Sequence, residues 1–117
     1  MVTAEIAVAL PALVLVTAFS MWGVTAASVQ VACTDAARSG ARAAARGEAL
    51  PAVEAMVAGA LPAGARVEVR RDAAMSLVEV SVPVGPPGRT DLLPLTVRAE
   101  ARAATEPGAN AAGGPGW

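Results

Sequence analysis

The sequence predicts an α+β protein, in which a long N-terminal transmembrane α-helix continues into a helical extension and is followed by a short helix and a small three-stranded antiparallel sheet. Three observations predict this class. Residues 6–34 contain no charged side chain, residues 35–61 are Ala-rich with apolar residues at helical spacing, and apolar and polar residues alternate after residue 65. The 117-residue chain is 55% hydrophobic, yet of its charged residues only Glu5 precedes Asp35. The chain therefore divides into an apolar front and a small charged head.

The first predicted element is a transmembrane helix over residues 1–34. Its uncharged run would extend roughly 43 Å as an α-helix, whereas about 20 apolar residues are enough to cross a bilayer. A buried helix of a soluble domain is the weaker interpretation, because a domain this small cannot cover such a run on every side. Pro11 lies inside the run, where a membrane helix tolerates the lost backbone hydrogen bond. Glu5 lies at its start, where either the helix dipole alone or a partner's cation near the lipid would stabilise the carboxylate.

A helical extension and a short amphipathic helix are predicted over residues 35–62. Ala is the best helix former, Gly47 is a suitable residue to end the extension, and residues 51–61 have one apolar stripe. Gly40 and the neighbouring alanines form a surface of small side chains, which another helix could approach closely. Three arginines recur every four residues and so share a helical face that is either solvated or in contact with anionic lipid headgroups or a partner protein: Arg38, Arg42 and Arg46.

The remaining chain predicts a small antiparallel β head over residues 63–105 and a disordered tail over residues 106–117. Three runs of alternating apolar and polar residues are typical of half-buried strands. The head is close to the size of about 40 residues below which a domain rarely folds alone. We therefore expect its Val face to pack on the short helix and on the end of the long helix. The tail consists largely of Gly, Pro, Ala and Asn.

The composition excludes most catalytic and metal chemistry. The chain has no His and one Cys, so imidazole sites and Cys-cluster metal sites are absent. A net charge of -1 and a pI of about 5.3 indicate no electrostatic attraction to nucleic acid. Glu68 and Glu79 lie at outward strand positions without a His, Lys or Tyr to act beside them. We predict that the protein is not an enzyme, has no catalytic, cofactor-binding or metal residues, and takes no cofactor or small-molecule substrate.

The N-terminal residues carry a resemblance to a known family. Residues 1–11, MVTAEIAVALP, resemble the N-terminus of type IV pilin-like proteins, in particular the TadE family of minor pilins (pseudopilins) of the tight-adherence (Tad/Flp) system. In those precursors a prepilin peptidase cuts after a Gly, and a Glu, an apolar run and a Pro follow, which match Glu5 and Pro11 here. Residues 35–45, DAARSGARAAA, are similar to the family's Ala/Arg/Gly segment. The Gly itself is not in the sequence, so either Met1 is the mature N-terminus or the true start lies upstream.

The resemblance implies a structural role in a bacterial type IV (Tad/Flp) pilus. The subunit would be inserted in the cytoplasmic membrane as a single-pass protein, with its head outside, and assembled into or at the base of the fibre. The implied assembly residues are Met1, whose freed amine would pair with Glu5 of a neighbour, and Pro11, which would loosen the helix. The implied partners are other pilin subunits, the pilus assembly machinery, the prepilin peptidase and membrane lipid, with no nucleic acid.

The residues themselves leave two questions open. The arginines after the span would place the head in the cytoplasm by the positive-inside rule, opposite to the orientation that the resemblance implies. The function also has alternatives. The chain is a candidate for a single-span membrane protein whose small extracytoplasmic head binds another envelope protein, or for a secreted domain released by cleavage near Ser28.

Overall fold

A computed structural model describes residues 2–85 and 95–109. These residues form two helices and three strands: α1 (Val2–Ala45), α2 (Leu50–Gly59), β1 (Arg66–Arg71), β2 (Met75–Val84) and β3 (Leu95–Ala104). The predicted α+β class and the predicted order of elements are confirmed. The molecule measures 77 × 21 × 16 Å because α1 extends far beyond the sheet that packs against its C-terminal half.

Helix α1 is continuous from the apolar front into the Ala-rich extension and passes through Pro11. Its hydroxyl side chains do not interrupt it. Thr17, Ser20 and Thr25 each donate a hydrogen bond to the carbonyl oxygen four residues earlier, at 2.7–2.9 Å. These internal bonds satisfy the hydroxyl groups without water, so the apolar half of α1 presents no unpaired hydroxyl at these three positions.

Gly47 lies just after α1 and terminates the helix, as predicted. Gly47 has a φ of +94°, and its N–H donates to the Ala44 carbonyl at 3.0 Å. The N–H of Glu48 donates to the Ala43 carbonyl at 3.2 Å, which completes a Schellman motif. The guanidinium of Arg71 adds a second donor, because Nη1 lies 3.1 Å from the Ala44 oxygen and 2.7 Å from the Glu48 oxygen. A cation at the negative end of the helix dipole stabilises this terminus.

The three strands form one antiparallel sheet in the order β1-β2-β3. In this register Val78 of β2 lies opposite Val69 of β1. Val82 of β2 lies opposite Val97 of β3. The inner face of the sheet packs on α1, and most of its buried residues are valines: Val69, Val78, Val80, Val82, Val84 and Val97.

Helix α2 packs beside the sheet on α1. Val53 and Val57 are buried against Gly40 of α1, whereas Met56 is 45% exposed. The predicted apolar stripe is therefore only partly covered. A Cβ atom at Gly40 would lie 2.5 Å from a Val57 methyl carbon. The absence of a side chain at Gly40 thus allows α2 to approach α1 this closely.

The beginning of the predicted tail is ordered. Glu106 donates its backbone N–H to the Ala45 carbonyl at 2.9 Å, and Ala109 is buried against Gly47. The backbone donor satisfies one of the free carbonyls at the end of α1. The structure therefore differs from the predicted disorder at residues 106–109, and the rest of that tail lies outside the described residues.

Candidate membrane-spanning and assembly surfaces

The N-terminal half of α1 is free of the head. From Val2 to Met21 every side chain is exposed except Ala18, which is half-buried. Among the described residues, α1 is the one helix long and apolar enough to cross a membrane, and the most apolar window within it is 0% buried. Twenty helical residues extend about 30 Å, which equals the thickness of a bilayer core.

The head begins to cover α1 at Trp22. The indole Nε1 of Trp22 donates to the Val84 carbonyl at 3.2 Å, and its ring lies 5.9 Å from the ring of Phe19 between centroids. Two turns further along, Gln30 Nε2 donates to the Arg98 carbonyl at 3.2 Å. An amphipathic Trp beside such a boundary suits the interface between lipid and water.

The predicted span of residues 1–34 therefore consists of two parts. Residues 22–34 are covered on one face by a sheet whose outer face exposes charged side chains such as Arg98 and Glu100. A sheet with charged side chains on this face does not enter a bilayer core, because such charges are costly in lipid. The part of α1 that lipid can surround is thus residues 2–21, which is shorter than the uncharged run.

The small-residue surface of α1 is already occupied. Cys33, Ala37, Gly40, Ala41 and Ala44 are buried under the chain's own sheet and α2. The helix that approaches this surface closely, at Gly40, is the chain's own α2, and the sheet covers the neighbouring small residues, so these residues are not exposed to a helix of another subunit. The small side chains let the valine face approach the helix closely, which gives a head without aromatic residues a tightly packed core.

The predicted assembly residues lie on the free half of α1. Glu5 is exposed in its first turn, and among the described residues it has no cationic group within 4 Å. Pro11 is exposed six residues later, roughly 9 Å along the helix axis. Met1 lies outside the described residues. The two described residues are therefore accessible to another subunit or to lipid, and they do not contact each other.

The three arginines of the extension, Arg38, Arg42 and Arg46, are exposed on α1. Arg46 pairs with Glu48 at 3.0 Å. Arg38 lies about 24 Å beyond Trp22 along an α-helix. The headgroup layer adds only about 5–7 Å to each side of the bilayer core. If the lipid ends near Trp22, this distance places the arginines beyond the headgroup layer, where they are exposed to solvent.

The outer face of the sheet brings together charged residues that lie far apart in the sequence. In the register of the three strands, Glu79 lies opposite Glu68 on one side and opposite Glu100 on the other. A row of three carboxylates therefore crosses the sheet, although these residues do not form a group suited to a metal ion. We call this surface the charged sheet face and define it by nine residues: Arg66, Glu68, Arg70, Leu77, Glu79, Ser81, Arg98, Glu100 and Arg102.

Arginines flank the carboxylate row on both sides, because β1 and β3 share the pattern Arg-x-Glu-x-Arg. Arg70 pairs with Glu68 at 3.3 Å. Arg102 pairs with Glu100 at 2.9 Å. The repeated pattern was visible in the sequence, but only the strand register places the two copies side by side. A shallow concavity of about 760 Å³ lies over the carboxylate row and the neighbouring row that contains Ser81.

The turn between β1 and β2 is stabilised by Asp72. Its Oδ1 accepts the backbone N–H of Met75 at 2.7 Å and that of Ala74 at 2.8 Å. These two hydrogen bonds lower the pKa of Asp72 because they stabilise the ionised carboxylate, and the bond from Met75 has the larger effect. The turn therefore fixes the pairing of β1 with β2, and hence the alignment of the charged rows.

Comparison with known proteins identifies a relative of the chain. No family model matches the chain, and no solved structure matches it. The chain is 40% identical over 112 residues to a protein of Mycobacterium tuberculosis named apoptosis inhibitor Rv3655c, and the match covers 95% of this chain and 84% of that protein. With this identity and coverage, the chain belongs to the same protein family as Rv3655c.

Proposed function

We propose that the protein is a TadE-like minor pilin, a structural subunit of a Tad/Flp type IV pilus. The observation that supports this most is the division of α1. Its first 20 described residues are an exposed apolar helix with Glu5 in the first turn, and its second half holds a small β head. This combination suits a subunit whose apolar half lies in a membrane and whose head lies outside it.

In this proposal the protein is a single-pass protein of the bacterial cytoplasmic membrane with its head outside the cytoplasm. The resemblance at residues 1–11 supports this orientation. The arginines that favour the opposite orientation are part of the folded head region, about 24–36 Å beyond Trp22 along α1. The positive-inside rule applies most strongly to short flanking loops, so these arginines are weaker determinants of topology than their sequence position suggests.

Assembly would depend on Glu5. A carboxylate at the start of an apolar helix is costly within lipid or within a bundle of apolar helices unless a cation neutralises it. The amine of Met1 in a neighbouring subunit, freed by a prepilin peptidase, supplies such a cation. Pro11 removes one backbone donor from the same part of α1, which lets the helix adapt as it packs among other pilin subunits.

The test is to replace Glu5 by Ala or Val in the full chain. We expect both variants to resist extraction from membranes at alkaline pH and to be absent from sheared pili, as measured by immunoblotting of the two fractions. Glu54→Ala, an exposed carboxylate of α2, is the matched control and should enter pili normally. Normal incorporation of the Glu5 variants would refute the assembly role. An intact membrane protein that never reaches pili even with Glu5 present would favour the alternative of an envelope protein unrelated to pili.

A second candidate function is inhibition of apoptosis, and the observation that favours it is the 40% identity to apoptosis inhibitor Rv3655c. In this chain such a role would fall to the head, which contains the exposed charged surfaces. The test is to express the full chain in cultured mammalian cells and measure caspase-3 activity after an apoptotic stimulus. At least a twofold lower caspase-3 activity than in cells with an empty vector would support this candidate. Equal activity would refute inhibition of apoptosis and would leave the result of the pilus assay unchanged.

A further inference from the structure

The charged sheet face contains charged groups that no described residue neutralises. Its internal ion pairs use the glutamates of β1 and β3, each with an arginine two residues later. Among the described residues, Arg66, Glu79 and Arg98 have no oppositely charged group within 4 Å. These three residues and Ser81 line the same shallow concavity. Unpaired charges and concave shape therefore coincide on one part of the face.

The geometry of these groups sets the spacing of a complementary partner. Arg66 and Arg98 lie on the two edge strands, both opposite Ser81 of β2. Two strand spacings separate their backbones, which is about 9–10 Å. Glu79 lies two residues from Ser81 along β2, about 7 Å away. The small Ser81 side chain leaves room between the two guanidinium groups.

The pattern disfavours a second copy of the same chain on this face. The strands run along α1, so copies anchored in one membrane present their charged rows at the same height. A face-to-face pair at equal height would place arginines on arginines and the carboxylate row on itself. Like charges held directly opposite each other are repulsive. The carboxylate row equally disfavours a polyanion such as a nucleic acid or an anionic lipid surface.

We propose that the charged sheet face docks an extended segment of a different protein that carries charges of both signs. Two carboxylates that lie two residues apart in that segment, and therefore on the same side of an extended strand about 7 Å from each other, pair with the long side chains of Arg66 and Arg98. A cationic side chain of the same segment pairs with Glu79. The proposal rests on the membrane anchoring in the proposed function, which sets the common orientation of copies, and it names a heterologous protein partner for the head.

The test places a photo-crosslinking amino acid at Ser81 of the full chain in the native cell. We expect an adduct with one different protein, reduced at least fivefold by the Arg66→Glu/Arg98→Glu double variant and also by Glu79→Arg. The matched control is Arg38→Glu/Arg42→Glu on α1, which makes the same change in net charge and should leave the adduct unchanged. Once the partner is identified, reversing its two matching acidic residues to Arg should restore the adduct with the double variant.

Three results would overturn the proposal: an adduct between two copies of this chain, an adduct that the charge reversals leave unchanged, or a yield no higher than from a probe at the exposed Ala52 of α2. Alkaline extraction of the same cells measures membrane anchoring separately, so a failure of anchoring is distinguishable from a failure of docking. If the double reversal lowers the amount of folded protein, Arg66→Gln/Arg98→Gln replaces it, and at least a threefold lower yield is then expected.

Discussion

Replacing Gly40 by Ala tests the contact on which the placement of α2 depends. The added Cβ would lie 2.5 Å from Val57 Cγ2 and 3.3 Å from Val78 Cγ2. Both neighbours are essentially fully buried, so neither can move into solvent without disturbing the core. Overpacking of this kind costs about 1–3 kcal/mol. The higher helix propensity of Ala returns about 1 kcal/mol, so we expect a net destabilisation of up to about 2 kcal/mol.

The assay is amide hydrogen exchange of the detergent-solubilised full chain, which reports local opening free energies for α2 and the sheet. Gly59→Ala is the matched control, because a Cβ there meets nothing within 4 Å and the substitution should be neutral or stabilising. Adding Val57→Ala to Gly40→Ala should recover part of the loss, since the new methyl group then fills the space vacated by the valine. If Gly40→Ala slows exchange as Gly59→Ala does, α2 does not pack on α1 at this distance.

Three further substitutions probe the same head by hydrogen exchange or thermal unfolding. Gly47→Ala should destabilise the end of α1 by about 1–2 kcal/mol, because its φ of +94° is unfavourable for a residue with a Cβ; unchanged protection of residues 43–48 would contradict this. Arg71→Met should cost about 1–2 kcal/mol through the lost hydrogen bonds to the Ala44 and Glu48 carbonyls. Arg70→Met, which removes an exposed ion pair, should change stability by less than about 0.5 kcal/mol, and equal effects of the two would contradict the capping role. The lowered pKa of Asp72 means that its stabilisation is complete above the unfolded-state pKa of about 4 and is lost as pH falls through the folded-state value. Asp72→Asn should therefore weaken the acid dependence of the unfolding temperature, and an unaltered pH profile would refute this.

Local patterns in the sequence were sufficient to predict the elements. The uncharged run predicted α1, the alternation of valines with charged residues predicted the strands, and Gly47 predicted the end of the first helix. Each of these signals depends only on residues close together in the chain. The class and order of elements followed from the same signals, because a sheet with one apolar face and no aromatic residues needs a helix to cover it.

The site was less predictable, because it depends on distances between elements. Nothing in the uncharged run marks Trp22 as the point where the head begins, since that point depends on how far the strands extend down α1. The carboxylate row across the sheet likewise requires the pairing of Glu79 with Glu68 and Glu100. A shift of one residue in either pairing would turn a row to the other face.

The lengths of the strands and of α1 explain why one helix both packs on the sheet and leaves an apolar segment free. The ten residues of β2 extend about 33 Å, and the 23 residues from Trp22 to Ala44 extend about 35 Å as a helix. Hydrogen bonds connect the sheet to α1 at both ends, from Trp22 to Val84 at one end and from Arg71 to Ala44 at the other. The sheet therefore cannot slide along α1 without breaking a bond at one end. Because the head is fixed at this height, the free apolar length is fixed at residues 2–21, which is the length that one bilayer core requires.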